Sequence, residues 1–301
     1  MSRPNTPTVC FIGFGEAGQA FASGLREAGV KTMSAWDTLF PESDGEKLRV
    51  AAEKIGVRMG KSAQDAVAGS DIVLAAVTAA SSFDVAQTAK PYLKPEQFWL
   101  DINSVSPGRK LQTSEAINGA VRYVDVAVMA PVHPARHKTP VLLAGPHAAA
   151  LAPVLRALDM NVGIAGEKVG NAAAIKMVRS VMIKGFEALT TECFLAATRA
   201  GVEPQIFASL GGSFPGLDWP EMVEYNLERM ANHGIRRAHE MEEVAETLHE
   251  LGIEPHMTSG TIKRQYEMGE LGKAEPMKSA VEKGRLAMLD AIPRADGHKK
   301  D

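Results

Sequence analysis

The sequence predicts an α/β protein in two parts: a doubly wound, mostly parallel β-sheet followed by an all-α domain. Three observations support this prediction. Short apolar segments alternate with helical segments over the first half of the 301-residue chain. Helical patterns alone fill the remainder, separated by glycine and proline. The chain is also long enough to build two hydrophobic cores, and it contains no internal repeat.

The elements of the first half follow from local composition. Residues 8–14 (TVCFIGF) predict a strand, and residues 16–29 predict a helix that ends at a glycine. A second helix is predicted near residues 45–55. Because helices separate the strands, the sheet should be mostly parallel with helices on both faces. Further strands are predicted at residues 30–36, 71–77, 98–102, 122–128 and 139–145.

The second half changes character. One long helix is predicted from Glu167 to Ala200, and three further helical segments follow it, with a break expected between a segment that ends at Met230 and one that begins at His233. We therefore expect residues 1–165 to form the sheet domain and residues 166–301 to form a helical domain.

Composition narrows the classes of function. Hydrophobic residues make up 45% and charged residues 23%, which is typical of a globular protein. The net charge of -3 gives no reason to expect nucleic acid or an anionic membrane as a partner. No segment has the pattern of a membrane span or signal peptide, and the two cysteines suggest neither a disulfide framework nor a metal site. A cytoplasmic location without a bound metal is expected.

A glycine motif joins the first strand to the first helix with the spacing G-x-G-x-x-G. The first glycine permits a tight turn, the second lets a pyrophosphate approach, and the third lets helix pack on strand. Asp37 ends the second strand, where an acid would accept hydrogen bonds from adenosine ribose. It would also repel a 2′-phosphate, so this Rossmann-type domain is expected to bind NAD, with NADP less favoured. The expected cofactor contacts are Gly13, Phe14, Gly15, Glu16, Ala17, Gly18 and Asp37.

The order of these features resembles the β-hydroxyacid dehydrogenase family, relatives of 6-phosphogluconate dehydrogenase. Glycine motif, Asp37, the loop after residues 71–77, segment 101–107 (DINSVSP) and a lysine-bearing helix follow one another in the family's order. The resemblance implies oxidation of a hydroxyl by a nicotinamide cofactor, in a Rossmann domain followed by a helical substrate and dimerisation domain. It also implies cofactor contacts from Val77, Thr78 and Ser104.

The helix that begins near residue 170 carries the catalytic candidates. Gly170, Asn171 and Lys176 resemble the family's glycine-to-lysine motif, which implies Lys176 as general acid/base. The family has an asparagine one turn later, where this chain has Ser180, which we expect to orient the lysine or bind substrate. A solvated polar stripe would give the same spacing, and the residues alone leave that alternative open. That stripe would comprise Lys176, Ser180, Lys184 and Glu187.

The family's substrate loop is altered in this chain. Segment 125–140 lacks the family's serine and two glycines, and Met129, Ala130 and Pro131 stand near their place. Residues 132–138 (VHPARHK) are either a cationic loop for an anionic substrate group or an exposed charged loop. The expected substrate contacts are Ser104, Met129, Ala130, Pro131, Lys184 and Arg236.

Together these features predict an NAD-dependent dehydrogenase that oxidises a small or medium hydroxy acid or related alcohol. Two alternatives remain. One is an imine reductase on the same scaffold, in which another residue usually replaces the lysine. The other is a sensor or regulatory subunit that binds NAD without turnover. The expected partners are a small-molecule substrate and a second copy of the chain, with no nucleic acid, membrane or metal.

Overall fold

The structure is a computed structural model that describes residues 6–293. The chain divides after Lys176 into two compact units, each with its own hydrophobic core. The sequence suggested a boundary near residue 165, whereas the compact units divide inside a long helix. Neither glycine nor proline marks that point, so the local sequence carries no signal for it.

The first unit is built on one eight-stranded sheet. Its strands are β1 (Val9–Ile12), β2 (Met33–Trp36), β3 (Arg58–Met59), β4 (Ile72–Ala75), β5 (Phe98–Asp101), β6 (Arg122–Val128), β7 (Val141–Ala144) and β8 (Val162–Gly166). The strand order is β3-β2-β1-β4-β5-β6-β7-β8. Strands β1 to β6 run parallel, β7 pairs antiparallel with β6, and β8 pairs parallel with β7. The predicted doubly wound, mostly parallel sheet is confirmed.

The order places β1 beside β4 at the point where the winding reverses. Ligands of doubly wound sheets bind outside the carboxyl ends of the strands at this switch point. The residues that follow β1, β4 and β5 are therefore the ones to inspect for function.

Helices cover both faces of the sheet. Successive residues of β1 show this, because Val9 and Phe11 belong to one core while Cys10 and Ile12 belong to the other. Strands buried on both faces are continuously apolar, which explains why the sequence revealed them. The helices are α1 (Glu16–Glu27), α2 (Glu46–Ile55), α3 (Ala63–Val67), α4 (Ser82–Ala89), α5 (Pro107–Ala116) and α6 (Ala148–Arg156).

Two strands were missed by the sequence prediction. β3 has only two residues, and β8 (VGIAG) contains two glycines and is mostly half-buried or exposed. Neither offers the apolar run that identified the other strands.

The second unit is helical, as predicted, and shares one helix with the first. Its core contains the stacked rings of Phe194 and Phe207 together with Trp219, and four buried methionines fill the remaining space. The helices are α7 (Asn171–Ala200), α8 (Glu203–Ser213), α9 (Trp219–Glu250), α10 (His256–Leu271), α11 (Met277–Lys283) and α12 (Arg285–Ala291).

The predicted break between Met230 and His233 is wrong, since α9 runs unbroken for 32 residues. Gly234 serves packing instead. A Cβ at that position would lie 2.3 Å from the carbonyl oxygen of Gln265 in α10, so only glycine permits this close helix contact. Despite the length of α7 and α9, no helix within residues 6–293 is both long and apolar enough to cross a membrane.

Candidate active site

The glycine loop has the geometry of a dinucleotide cradle. Gly13 adopts a φ of +88°, and a Cβ there would lie 2.3 Å from the carbonyl oxygen of Ala76, just beyond β4. A Cβ on Gly18 would lie 2.7 Å from the carbonyl oxygen of Gly13. By contrast, among residues 6–293 no atom lies within 4 Å of a Cβ built on Gly15, apart from those of Gly15 itself and its two chain neighbours. The first and third glycines are thus required by packing, and the second faces open space.

The N-terminus of α1 begins at this open space. Gly15 is the N-cap, and no side chain of the described residues caps the helix. The first-turn N–H groups of a helix lack intrahelical acceptors and carry a partial positive charge. A helix N-terminus of this kind suits an anionic group such as a pyrophosphate. Phe14 is fully buried, so its side chain belongs to the core.

Asp37 is tied directly to the glycine loop. Its Oδ2 accepts a hydrogen bond from the backbone N–H of Phe14 at 2.8 Å, and its Oδ1 accepts one from Leu39 at 3.0 Å. The carboxylate is half-buried and is followed by the exposed Thr38. These bonds hold the acid beside the glycine loop, directly after β2.

Lys176 and Ser104 meet although 72 positions separate them in sequence. Lys176 Nζ donates a hydrogen bond to Ser104 Oγ at 2.5 Å, and both residues are half-buried. Ser104 follows the carboxyl end of β5, and Lys176 lies in the second turn of α7. The structure thus brings together the two residues that the sequence assigned to catalysis and to the cofactor or substrate.

Gly170 allows α7 to begin beside the segment that carries Ser104. It adopts a φ of +96°, and a Cβ there would lie only 3.2 Å from Cβ of Pro107. Pro107 opens α5, and Ser106 is the N-cap that accepts a hydrogen bond from the N–H of Arg109. Position 170 of the glycine-to-lysine motif therefore requires glycine for two physical reasons: its backbone conformation and its close contact with Pro107.

Asp125 of β6 accepts three hydrogen bonds from the start of α7. Its Oδ2 lies 3.0 Å from the N atom of Gly170, 3.1 Å from that of Ala172 and 3.2 Å from that of Ala173. A carboxylate at a helix N-terminus is stabilised by the orphan N–H groups and the helix dipole. Burial raises the pKa of Asp125, while the charge of Lys110 and the N–H groups act in the opposite direction.

A buried ionic cluster lies beneath this arrangement and was not predicted. Lys110 Nζ lies 3.0 Å from Asp101 Oδ1 and 3.7 Å from Asp125 Oδ1, and all three residues are at most 1% exposed. Tyr123 donates to Asp101 Oδ2 at 2.7 Å, and burial followed by the charge of Asp101 raises the pKa of this tyrosine. The available sequence signal was two aspartates inside or ending apolar strands, because buried carboxylates require partners.

Asn103 connects the cluster to the segment that follows β4. Its Nδ2 donates to Asp101 Oδ1 at 2.8 Å, and its Oδ1 accepts from the N–H of Val77 at 2.8 Å. Val77 and the exposed Thr78 follow β4 at the switch point. Their predicted cofactor contacts stay predictions, but their location beyond a strand's carboxyl end suits such contacts.

Three of the four residues in the predicted polar stripe lie in the second unit, and they are buried. Ser180 is 7% exposed, Lys184 4% and Glu187 3%. For these three residues the alternative interpretation, a solvated helix face, is therefore wrong. Lys184 Nζ lies 2.8 Å from a carboxylate oxygen of Glu240 and donates to Ser180 Oγ at 3.3 Å.

Arg237 of α9 is buried, and it directly follows Arg236, the arginine that the sequence predicted as a substrate contact. Arg237 pairs with the Glu187 carboxylate, which also accepts a hydrogen bond from Gln265 at 2.9 Å. Arg236 is exposed and its Nε lies 4.0 Å from Glu240. Its predicted role at a substrate carboxylate is not tested by this geometry.

The altered loop after β6 is only partly open. Met129 is half-buried, whereas Ala130 and Pro131 are exposed. In the charged segment beyond them, both guanidinium NH groups of Arg136 contact the Glu27 carboxylate at 2.6 Å, and Lys138 lies 3.9 Å from Asp159. Acidic side chains of this unit thus already face two of the loop's cations.

A cavity of about 530 Å³ lies at the other edge of the sheet, lined by residues that include Thr8, Lys31 and Asp71. These residues precede β1, β2 and β4. Since parallel sheets bind ligands at their carboxyl ends, this cavity does not belong to the candidate site.

Comparisons with known proteins match both parts of the chain. Residues 8–104 match the family model described as NADP oxidoreductase coenzyme F420-dependent, and residues 197–268 match Domain of unknown function (DUF1932). A conserved hypothetical protein from Sinorhizobium meliloti 1021 is 38% identical, with a TM-score of 0.77, over 95% of this chain and 96% of the other.

A second structure links the chain to enzymes. The conserved protein MTH1747, of unknown function but structurally similar to 3-hydroxyacid dehydrogenases, is 30% identical over 87% of this chain and 97% of its own, with a TM-score of 0.71. At 17% identity, 3-hydroxyisobutyrate dehydrogenase of Mycobacterium tuberculosis shares the fold, with a TM-score of 0.71 over 95% of this chain and 98% of its own. So do the imine reductase from Myxococcus stipitatus solved with NADP+ (18% identity, TM-score 0.53) and its V8 variant solved with NAD+ (20%, 0.57), each covering 95% of this chain and 99% of the other.

Proposed function

The chain belongs to the 3-hydroxyacid dehydrogenase-like family of oxidoreductases, and from this premise we propose that it is an NAD-dependent dehydrogenase. Its substrate is a small or medium hydroxy acid or a related alcohol. The observation that carries the proposal is the hydrogen bond of 2.5 Å between Lys176 Nζ and Ser104 Oγ at the carboxyl edge of the sheet.

The chain's own residues fit a nicotinamide dinucleotide. The glycine loop and the α1 N-terminus hold the pyrophosphate, and Asp37 accepts hydrogen bonds from the adenosine ribose. When bound, the nicotinamide supplies the hydride acceptor. Family-fold neighbours have been solved with NAD+ and with NADP+, so the choice rests on this chain's residues. The Asp37 carboxylate, already fixed by Phe14, disfavours a 2′-phosphate and favours NAD.

Lys176 acts as the general base in the direction of alcohol oxidation. Loss of hydride from a carbinol carbon requires that the hydroxyl proton be accepted as the carbonyl forms. The Nζ of Lys176 takes this proton and returns it in the reverse reaction. Ser104 accepts a hydrogen bond from Lys176, which leaves its own hydroxyl proton available to a substrate oxygen and holds the amine in place.

The other predicted contacts keep the status of proposals. Ser180 is assigned an orienting role, and Lys184 and Arg236 are assigned to an anionic substrate group. The exposed residues after β6 contribute the rim of the substrate site. A second copy of the chain completes the proposed assembly as a homodimer.

The test compares wild type with Lys176→Met, which removes the amine but keeps much of the side chain's apolar body. Formation of NADH from NAD, or of NADPH from NADP, is followed with a panel of hydroxy acids and alcohols, with each cofactor supplied separately. We expect kcat to fall by about 10² to 10⁴, the usual contribution of a general acid/base, with NAD affinity retained. Lys168→Met, at an exposed lysine just before the same helix, should keep wild-type activity.

The same assay separates the alternatives. Undiminished turnover by Lys176→Met would remove this lysine from the mechanism. Reduction of imines without oxidation of any alcohol would assign the chain to the imine reductases instead. Binding of NAD with no turnover of either class would favour a sensor.

A further inference from the structure

The buried ionic cluster has no role in the proton transfer, and its composition is unusual for a stabilising core. Lys110 is 1% exposed, and Asp101 and Asp125 are fully buried. Removing an ion from water costs several kcal/mol even after relaxation, and apolar replacements of buried pairs are often as stable as the pairs themselves. Stability alone therefore does not account for one lysine and two aspartates at this place.

The cluster's contacts connect the backbone segments that form the candidate site. Lys110 reaches the segment before Ser104 through Asp101, donating to its carbonyl oxygen at 2.6 Å and contacting its carboxylate at 3.0 Å. Asn103 carries this connection to Val77 beyond β4. The other branch passes from Lys110 to Asp125, whose second carboxylate oxygen binds the N-terminus of α7.

The two branches end at the two residues that form the site's central hydrogen bond. Ser104 directly follows Asn103. Lys176 lies three residues after Ala173, whose backbone N–H is the last of the three that donate hydrogen bonds to Asp125. A helix rises about 1.5 Å per residue and turns every 3.6 residues, so the start of α7 sets both the height and the direction of Lys176. A shift of about 1 Å in such a position is enough to reduce catalysis strongly.

We propose that Lys110 is a positioning residue which, through Asp101 on one side and Asp125 on the other, fixes the start of α7 relative to the Ser104 segment and so holds Lys176 against Ser104. This inference rests on the proposed dehydrogenase function for its effect on turnover. The cation draws the two aspartates together, and each aspartate orders the backbone of one partner. The N-terminus of α7 compensates the second negative charge.

The experiment uses the full-length chain with Lys110→Met and Asp125→Asn. Both variants are expected to lower kcat for the hydroxy substrate by about tenfold to a hundredfold. The control is Gln97→Met. Gln97 is also buried, and bonds to Ser70 and to the carbonyl oxygen of Val67 at the amino end of β5, so its loss should lower the unfolding temperature without lowering kcat.

A second readout does not depend on turnover. The rate at which an amine-reactive acylating reagent modifies Lys176 is measured by peptide mass spectrometry across a pH series, relative to the exposed Lys54. We expect this relative rate to change at least about threefold in Lys110→Met and Asp125→Asn and to stay unchanged in Gln97→Met. If the wild type oxidises no substrate in the panel, the proposed function fails, and the acylation rates still test the positioning role.

Tyr123→Phe provides a milder variant if the others fail to fold. This substitution removes the hydroxyl that donates a hydrogen bond to Asp101 but keeps the aromatic ring of residue 123. It should lower kcat by about twofold to fivefold. Unchanged acylation of Lys176 in folded variants would overturn the proposal. So would a loss of kcat that Gln97→Met reproduces.

Discussion

The carboxylate of Asp37 has two proposed roles that a single substitution can separate. It accepts a hydrogen bond from the N–H of Phe14 in the glycine loop, and we propose that its negative charge also repels a 2′-phosphate. Asparagine keeps an acceptor oxygen for the backbone bond but removes the charge. This makes Asp37→Asn a sharper probe of cofactor choice than truncation to alanine, which would also release the loop.

We expect Asp37→Asn to lower the preference for NAD over NADP about tenfold, because the repulsion of the 2′-phosphate is removed. The ratio of kcat/KM values for the two cofactors measures this directly. Asp44→Asn, at an exposed acid in the following loop, removes the same charge and should leave the ratio unchanged. An unaltered ratio in Asp37→Asn would show that other residues choose the cofactor.

His137 is the second residue with a testable environment. It is 2% exposed, and within residues 6–293 neither ring nitrogen has a hydrogen-bond partner. Burial, followed by the charges of Lys138 and Arg136, lowers the pKa of His137, while Asp159 and Glu27 act weakly in the opposite direction. The folded protein therefore binds a proton at His137 less readily than the unfolded chain, whose pKa is the ordinary value of about 6.5.

The sign of the pH dependence follows from that difference. Since the unfolded state binds the proton more readily, the contribution of neutral His137 to the free energy of unfolding is complete above about pH 6.5 and is lost as the pH falls below it. Urea unfolding at a series of pH values should show this loss in the wild type and a shallower slope in His137→Leu. His133→Ala, at an exposed histidine of the same loop, should retain the wild-type slope.

At the scale of elements, the contact between α9 and α10 depends on glycines that approach each other closely. A Cβ on Gly234 would meet the backbone of Gln265 and Gly269 at 2.3 and 2.6 Å. These are backbone atoms and cannot rotate away, so the helices would have to separate. Gly260 in α10 is different, because within the described chain nothing lies within 4 Å of its Cβ position.

Gly234→Ala should lower the free energy of unfolding by about 1–3 kcal/mol through overpacking. Gly260→Ala should raise it by about 0.5–1 kcal/mol, since alanine is the better helix former where there is room. Chemical denaturation followed by circular dichroism measures both. Two changes of the same sign would contradict the assignment of Gly234 to helix packing.

These helices also show where local sequence stops being informative. Glycine both ends helices and permits close packing, and local sequence does not distinguish these two uses at Gly234 because its packing partner lies in another helix. The motif from Gly13 to Gly18 was predictable because its spacing is local and each glycine has one physical role. The position of Asp37 directly after β2 was predictable because the second strand has a fixed place in the motif, whereas its role at the cofactor stays a prediction.

The candidate site was predicted in part. The resemblance to a family singled out Ser104 and Lys176, and the geometry then placed them 2.5 Å apart. Lys110 gave no such signal, because its partners come from two strands and a helix start that are distant in sequence. Burial of Ser180 and Lys184 was equally hidden, since periodicity identifies one face of a helix but not what covers it.

At the scale of the whole molecule, the family relationship concerns both units. The relative from Sinorhizobium meliloti aligns over 95% of this chain, so the helical part is as much a family feature as the sheet. The second unit nevertheless leaves large apolar side chains exposed on α7. Val178 is 50% exposed, Met182 71% and Leu189 59%. Spacings of four and seven residues place these three on one face of the helix.

We expect this face to bury itself against a second copy of the chain, because contiguous exposed apolar side chains mark association surfaces and most homo-oligomers are twofold symmetric. Sedimentation velocity of the wild type should then show a dimer. Leu189→Glu should weaken association at least about tenfold by placing a charge in the interface. Leu251→Glu is the matched control, since Leu251 is also 59% exposed but lies at the end of α9. A monomeric wild type, or equal weakening by both variants, would exclude this face as the interface, whereas selective weakening by Leu189→Glu would locate it on α7.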